Sequence, residues 1–221
     1  MNLLIKFPTR ERRSKFLTTL GIYQRTKTLE GTRFLITLDS NDRDMNNESC
    51  KSMINLWGNM DVVFGESRNK VEACNRDLDA YDKPWDIVLL ASDDMIPRVK
   101  GYDQRIVTDM KRFFPDTDGV LFYYDGFTPL NTLCVIGRKY YDRFNYIYNP
   151  CYSSLWCDNE FMNVADIMGK QVFINETIIA HEHYSNGTGS MDRLMRKNES
   201  FYHKDLKTYQ IRKAKNFGIT T

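Results

Sequence analysis

The chain has 221 residues, 42% of them hydrophobic, and a formal net charge of +2. That is enough apolar material for one sizeable domain, and the balanced charge gives no electrostatic case for a nucleic-acid partner. No apolar stretch approaches the roughly 20 residues of a membrane span, and the opening run Met1–Pro8 is too short and too soon interrupted for a signal peptide, so a cytoplasmic protein with no integral membrane segment is expected.

Taken in chain order, the first half alternates between two periodicities. Leu3–Phe7 reads as a strand, and Ser14–Tyr23 as a helix with Phe16, Leu17 and Leu20 on one face. Phe34–Leu38 is a second strand that runs into Asp39, and Asn47–Trp57 is a helix carrying Met53, Ile54 and Trp57. Asp61–Phe64 is a third strand, followed by a helix over Asn69–Leu78 with Val71, Cys74 and Leu78 inward. Asp86–Ala91 is a fourth strand whose unbroken apolar run suits the centre of a parallel sheet. Strand-helix alternation of this kind implies βαβ units, hence an α/β fold with a mostly parallel central sheet flanked by helices.

The second half is mixed. A helix over Tyr102–Phe113 precedes three short β-like runs, Gly119–Tyr124, Leu133–Gly137 and Val172–Ile174. Between them lie the aromatic-rich segment Tyr140–Trp156 and a helix over Asn159–Met168. The Ser185–Ser190 run, S-N-G-T-G-S, is the nearest thing to a hinge. Beyond it, Met191, Leu194, Met195, Tyr202, Leu206 and Tyr209 recur at helical spacing, and Asp192–Lys215 carries eight Lys or Arg against three acids. This C-terminal helical tail either packs its apolar stripe on the domain or makes peripheral contact with an anionic lipid surface or acidic acceptor. The five cysteines, Cys50, Cys74, Cys134, Cys151 and Cys157, lack C-x-x-C spacing and read as small buried hydrophobes in a reducing compartment.

Four clusters could carry chemistry. Asp93 and Asp94 follow the fourth strand directly. Adjacent carboxylates repel, so a cation or a proton must offset them, and in open α/β sheets ligands bind outside the carboxyl ends of strands. A strand-end turn or cap is the plain alternative, but Mg2+ or Mn2+ held against a diphosphate fits the pair better. Asp158, in W-C-D-N-E-F, is either a helix cap or a general base at a helix mouth, with Glu160 in support. His181 and His183 are two of only three histidines, and two residues apart in a strand they share a face and could approach one metal. The last cluster, Thr9, Arg10, Arg12 and Arg13, follows the first strand, where a helix N-terminus favours phosphate. Arg68 and Lys70 sit at the matching turn after strand three.

In this order the clusters resemble the family-2 glycosyltransferases with the GT-A fold, over about Leu3–His183. The matching pieces are Phe7-Pro8-Thr9-Arg10, Asp39, Gly65–Lys70 with Asn75, Ala91-Ser92-Asp93-Asp94, Asp158–Phe161 and His181-Glu182-His183. The resemblance implies a GT-A-type nucleotide-diphospho-sugar transferase fold. Residues 1–185 would form one catalytic domain, with 1–97 the nucleotide-binding half and 98–185 the acceptor-binding half, and residues 186–221 the tail. It implies that Pro8, Thr9 and Arg10 line the nucleotide site, that Asp39 bonds the base edge, and that Lys70, Asn75 and Ser92 help hold the donor. Asp93 would be the metal-binding acid with Asp94 beside it, one of His181 or His183 would complete the metal site or touch the diphosphate, and Asp158 would be the catalytic base.

The expected activity is therefore metal-dependent transfer of a sugar from a UDP-, GDP- or dTDP-type donor to an acceptor hydroxyl, with inversion, using Mn2+ or Mg2+. In one respect the chain departs from the pattern. The first acid of the D-x-D motif falls at Ala91, so its contact is missing or supplied by Asp94. Two rivals follow: a non-catalytic glycan or nucleotide-sugar binding protein on a degenerate GT-A scaffold, and a nucleotidyltransferase, which the absence of glycine from Phe7–Arg12 disfavours. The aromatic segment, including Tyr140, Tyr141, Phe144, Tyr146, Tyr148, Tyr152 and Trp156, would supply some rings to sugar faces and at least half to the core.

Overall fold

The sheet is organised around β1 (Leu3–Thr9), which pairs in parallel with β2 (Arg33–Asp39) on one side and β4 (Ile87–Leu90) on the other. The computed structural model describes residues 1–184, 187–188 and 191–219. Ser185, Asn186, Gly189 and Ser190, most of the hinge read from the sequence, lie outside the described residues.

With β3 (Met60–Gly65), β6 (Val120–Tyr123), β7 (Val135–Gly137) and β8 (Gln171–Ile174), the strands form a seven-stranded sheet in the order β3-β2-β1-β4-β7-β6-β8. Only β7 runs against its neighbours. Two further strands, β5 (Met95–Pro97) and β9 (Ile179–His181), pair antiparallel in a separate ribbon. The expected mostly parallel α/β sheet is what the chain forms.

Side-chain alternation along β1 builds a core on both faces. Leu3, Ile5 and Phe7 pack on one face with Phe16, Leu20 and Tyr23 of α1 (Arg13–Thr26) and with Tyr102, Ile106 and Met110 of α4 (Tyr102–Phe113). Leu4 faces the other side, with Val71 and Cys74 of α3 (Lys70–Asn75) and Phe161, Val164 and Ala165 of α6 (Cys157–Ile167). Each fully buried Leu, Ile or Phe here contributes about 1.5–3 kcal/mol of transfer free energy. Lys6 lies among the apolar side chains of β1, fully buried, with its ammonium bonded to the Thr37 hydroxyl and, at 2.7 Å, to the Arg76 carbonyl. Burial lowers its pKa to about 8, with Asp77 opposing.

That lysine also explains why α3 is shorter than the apolar pattern suggests. The Arg76 carbonyl accepts from Lys6, Arg76 itself leaves the helical region and Asp77 adopts φ 76°. Leu78 remains buried, but from a turn rather than from the helix. Side-chain caps start the shorter helices: Asn47 accepts from Cys50 N–H before α2 (Glu48–Asn55), and Asn69 accepts from Glu72 N–H before α3. A one-turn helix, α5 (Arg138–Tyr141), follows β7.

The tail is two helices, α7 (Arg193–Glu199) and α8 (Tyr202–Lys213). Tyr209 and the following Phe217 are buried in the same cluster as α6, while Lys204, Lys207, Lys213 and Lys215 face solvent. The cysteines are free thiols, buried as expected except for Cys151, which is exposed because it sits in the turn after Pro150. Among the described residues no helix is long and apolar enough to cross a membrane.

Candidate active site

The strand ends of β1, β2 and β4 open into a cleft of about 310 Å3. Pro8, Thr9, Arg10, Asp39, Lys70, Ser92, Asp93, Asp94, Asp158, His181 and His183, separated by up to 175 positions (183 minus 8), all line it. A sheet that gathers strand ends at one edge puts such residues together without any local sequence signal.

Arg10, just past the end of β1, pairs with Asp39, the last residue of β2. A second guanidinium, Arg76, stands 3.7 Å from the same carboxylate and donates to the Leu38 carbonyl at 2.6 Å. Thr9 Oγ1 is buried and has no protein hydrogen-bond partner at this edge of the cleft.

The two strand-end acids have different neighbours. Asp93 Oδ1 accepts from Arg12 at 2.9 Å, with Lys15 at 3.9 Å. Burial pushes Asp93 up to about 6, with Asp94 adding to the rise and Arg12 opposing it. Arg12 is itself gripped from its far side by Asp192, the cap of α7, through bonds of 2.6 and 2.9 Å. Asp94 instead accepts from the Ser92 hydroxyl and stands 3.6 Å from His181 Nε2. Burial shifts His181 down against the pull of Asp94 and leaves a neutral imidazole near pH 7. His183 is lowered to about 4, first by burial and then by His181, whose ring centroid is 5.4 Å away.

The β5–β9 ribbon sets the spacing between Asp94 and His181. Met95 pairs with His181 in register, and Glu182 N–H donates to the Asp94 carbonyl at 2.8 Å. Main-chain bonds therefore position the carboxylate and the imidazole together. Among the described residues no group of three or more His, Cys, Asp or Glu is arranged to hold a metal ion.

Asp158 lies in the first turn of α6, lines the cleft, and accepts from the adjacent Asn159 N–H at 2.9 Å. It does not cap the helix. That position belongs to Trp156, held at φ 64°, a conformation costly for a bulky residue unless its surroundings enforce it. The enforcement comes from α8. Tyr202 and Tyr209 pack on the indole with centroids 5.7 and 5.2 Å away. Fully buried Asp205 accepts from the N–H groups of Ser153, Ser154 and Leu155, the last two at 2.8 and 2.9 Å. Next to them, α7 supplies Leu194, Met195, Lys197, Asn198 and Glu199 to the cleft wall.

Two residues from the sequence reading are used elsewhere. Asn75 is turned away from the cleft: it donates to the Tyr148 carbonyl at 2.6 Å and accepts from Ile147 and Tyr148 N–H at 3.0 Å. It shapes the segment that brings Tyr148 to the cleft. Glu160 is buried in a bidentate pair with Arg212 of α8, at 2.6 and 2.8 Å, with the Tyr152 hydroxyl at 2.7 Å. Of the aromatic segment only Tyr148 lines the cleft; Tyr140, Tyr141 and Tyr152 are core. Sequence reasoning passed over Asp125, fully buried after β6 and 3.9 Å from His181 Nδ1. The signal was available, because Asp125 ends an apolar run as Asp93 does.

No protein-family model matches the chain, and a search of curated proteins gives no match. Solved structures do match. A mannosyltransferase from Pyrobaculum calidifontis in complex with GDP-Man and Mn2+ superposes with a TM-score of 0.63 at 12% identity, covering 100% of this chain and 76% of that one. S. aureus TarS 1-349 in complex with UDP-GlcNAc gives 0.66 at 13% identity, covering 89% of this chain and 61% of that one. A 4-diphosphocytidyl-2C-methyl-D-erythritol synthase from Anaerococcus prevotii gives 0.55 at 12% identity, covering 91% and 96%. At such identities the likeness is one of fold. The architecture is GT-A type, the fold expected from the ordered clusters.

Proposed function

We propose that the chain is a glycosyltransferase that moves a sugar from a nucleoside-diphosphate donor to an acceptor hydroxyl with inversion. The observation that carries this reading is the single cleft shared by the strand-end acids, the Arg10–Asp39 pair, Lys70 and Asp158. Asp39 and Arg10 would meet the base, Thr9 has a buried hydroxyl available for the donor, and Lys70 would meet the diphosphate. Asp158, at the helix mouth, would take the acceptor proton while the hydroxyl attacks the anomeric carbon from the face opposite the leaving group.

A divalent ion fits one part of the site. The Asp94 carboxylate and the neutral His181 imidazole, 3.6 Å apart and both facing the cleft, offer an oxygen and a nitrogen donor. Mg2+ and Mn2+ are commonly held by one or two protein carboxylates together with substrate phosphates. Such an ion offsets the charge that develops on a departing diphosphate. Asp93 is the weaker candidate despite its place in the motif, because Arg12 already occupies its Oδ1. Asp93 would instead hold Arg12, and through it α7, beside the donor.

Ala91 supports a second reading, a binding protein on this scaffold that lacks turnover. Titration with UDP-, GDP- and dTDP-sugars in the presence of Mn2+ separates the two, followed by product analysis with the donor that binds. Specific binding raises thermal stability by mass action, so the cognate donor stands out. The transferase reading expects Asp158→Asn to retain donor affinity and to lose turnover by roughly 10^2–10^4-fold. Donor binding without any transfer by the unaltered chain would leave the binding-protein reading standing, and no binding of any donor would sink both.

A further inference from the structure

His181 lies between two carboxylates. Nε2 is 3.6 Å from Asp94 Oδ1, and Nδ1 is 3.9 Å from Asp125 Oδ2. The two acids have different situations. Asp94 faces the cleft, whereas Asp125 is fully buried behind the histidine.

Four donors fix the Asp125 carboxylate. Oδ1 accepts from Phe127 and Thr128 N–H at 2.9 and 2.8 Å, and Oδ2 accepts from the Thr128 and Thr132 hydroxyls at 3.2 and 2.9 Å. The main chain adds a further tie, because His181 N–H donates to the Asp125 carbonyl at 3.1 Å. The first two bonds make an ordinary Asx turn. The turn holds Oδ1 and the two threonine hydroxyls hold Oδ2, and together they keep that oxygen on the Nδ1 side of the imidazole, 3.9 Å away.

A neutral imidazole has one N–H and one lone pair. Two carboxylates on opposite sides therefore compete for a single proton. A cation beside Asp94 excludes the form protonated at Nε2, and the ring then keeps its proton at Nδ1 only if an acceptor waits there. We propose that Asp125 is a positioning residue that holds the His181 proton at Nδ1, so that the Nε2 lone pair faces Asp94 and the cleft and can join a divalent ion. This rests on the reading that Asp94 and His181 hold that ion. A carboxylate placed behind a metal-binding imidazole fixes its tautomer and raises its basicity, and its loss costs roughly 10–100-fold in metal affinity.

With three histidines in the chain, ring nitrogen spectra are tractable. The experiment is 15N NMR of the full chain at pH 8 without and with Mg2+, with His181 assigned by comparison with His181→Asn. Mn2+ affinity is measured in parallel by titration calorimetry for the unaltered chain and for Asp125→Asn, whose amide oxygen can still accept in the turn. The expected result is a His181 ring protonated at Nδ1 with Mg2+ bound, and Mn2+ affinity lowered 10–100-fold in Asp125→Asn. A ring protonated at Nε2 in the Mg2+ form overturns the proposal, as does a folded Asp125→Asn with unchanged Mn2+ affinity. If that variant does not fold, the tautomer of the unaltered chain decides alone. Absence of any Mg2+ or Mn2+ binding by the unaltered chain refutes the metal reading, and this inference with it; Mn2+ binding that ignores Asp125 refutes only the inference.

Discussion

Asp205 is the sharpest test of whether the C-terminal helices belong to the site or merely cover it. Its carboxylate is fully buried and takes the N–H groups of three successive residues, Ser153, Ser154 and Leu155, immediately before the strained Trp156 and the helix that carries Asp158. Asp205→Ala leaves three main-chain donors without their acceptor. At about 1–3 kcal/mol for each buried unsatisfied group, and allowing for partial relaxation, the cost is on the order of 3–5 kcal/mol. For a chain of this size that corresponds to a fall in Tm of roughly 6–20 °C. Thermal unfolding followed by circular dichroism reads the loss. Donor turnover at a temperature where the variant is still folded reads the second effect, since a loosened helix mouth misplaces Asp158 and lowers turnover while donor affinity holds. A cost under about 1 kcal/mol with unchanged turnover would refute the argument that α8 positions this loop.

Three further outcomes follow from the same geometry. The raised Asp93 pKa means that the folded state prefers its protonated form; that preference adds stability below about pH 4 and is lost as pH rises through about 6. Asp93→Asn should therefore gain about 1–3 kcal/mol over the unaltered chain at pH 7.5 and nothing at pH 4, by urea midpoints at the two pH values. Arg212→Ala strips a guanidinium from buried Glu160 and should cost about 2–4 kcal/mol in the same urea assay, without changing donor affinity. Arg12→Gln removes the link between Asp93 and Asp192, and trypsin should then cut at Arg193 or Arg196 faster than in the unaltered chain, as followed by mass spectrometry; equal rates would mean that α7 is held by its apolar contacts alone.

The parallel half of the fold was legible because burial on both faces leaves plain apolar runs such as Ile87–Leu90, and the helices between them keep a helical period. The helix over Tyr102–Phe113 was readable to the residue, with Gly101 at φ 80° before it and Phe114 outside the helical region after it. The β5–β9 ribbon was not legible. Its strands are three residues each, and Pro97 reads locally as a turn although a two-stranded ribbon tolerates it. Among the candidate site residues, those at strand ends were visible because acids stand out after apolar runs. Asn75 and Glu160 showed the limit of that reasoning. Each is a polar residue near the site in sequence, and only the fold reveals that their bonding capacity is filled by Tyr148 and by Arg212. Asp192 and Asp205 were hidden for the opposite reason, since they lie in a basic tail whose composition suggests solvent.

The β5–β9 ribbon has a further consequence. His181 ends β9 and reaches the cleft; just beyond the strand the chain turns, with His183 N–H donating to the His181 carbonyl at 2.9 Å, so that His183 also lines the cleft while Glu182 pairs with Arg98. The ribbon acts as a template with a fixed bite: the distance from the Asp94 position to the residue at 181 is a property of main-chain pairing rather than of the side chains mounted on it. The side chain at position 181 can thus be exchanged, histidine for aspartate for instance, with the main-chain spacing conserved. A slip of one residue in the same ribbon would put Glu182 in place of His181 opposite Met95 and turn the His181 imidazole to the other face.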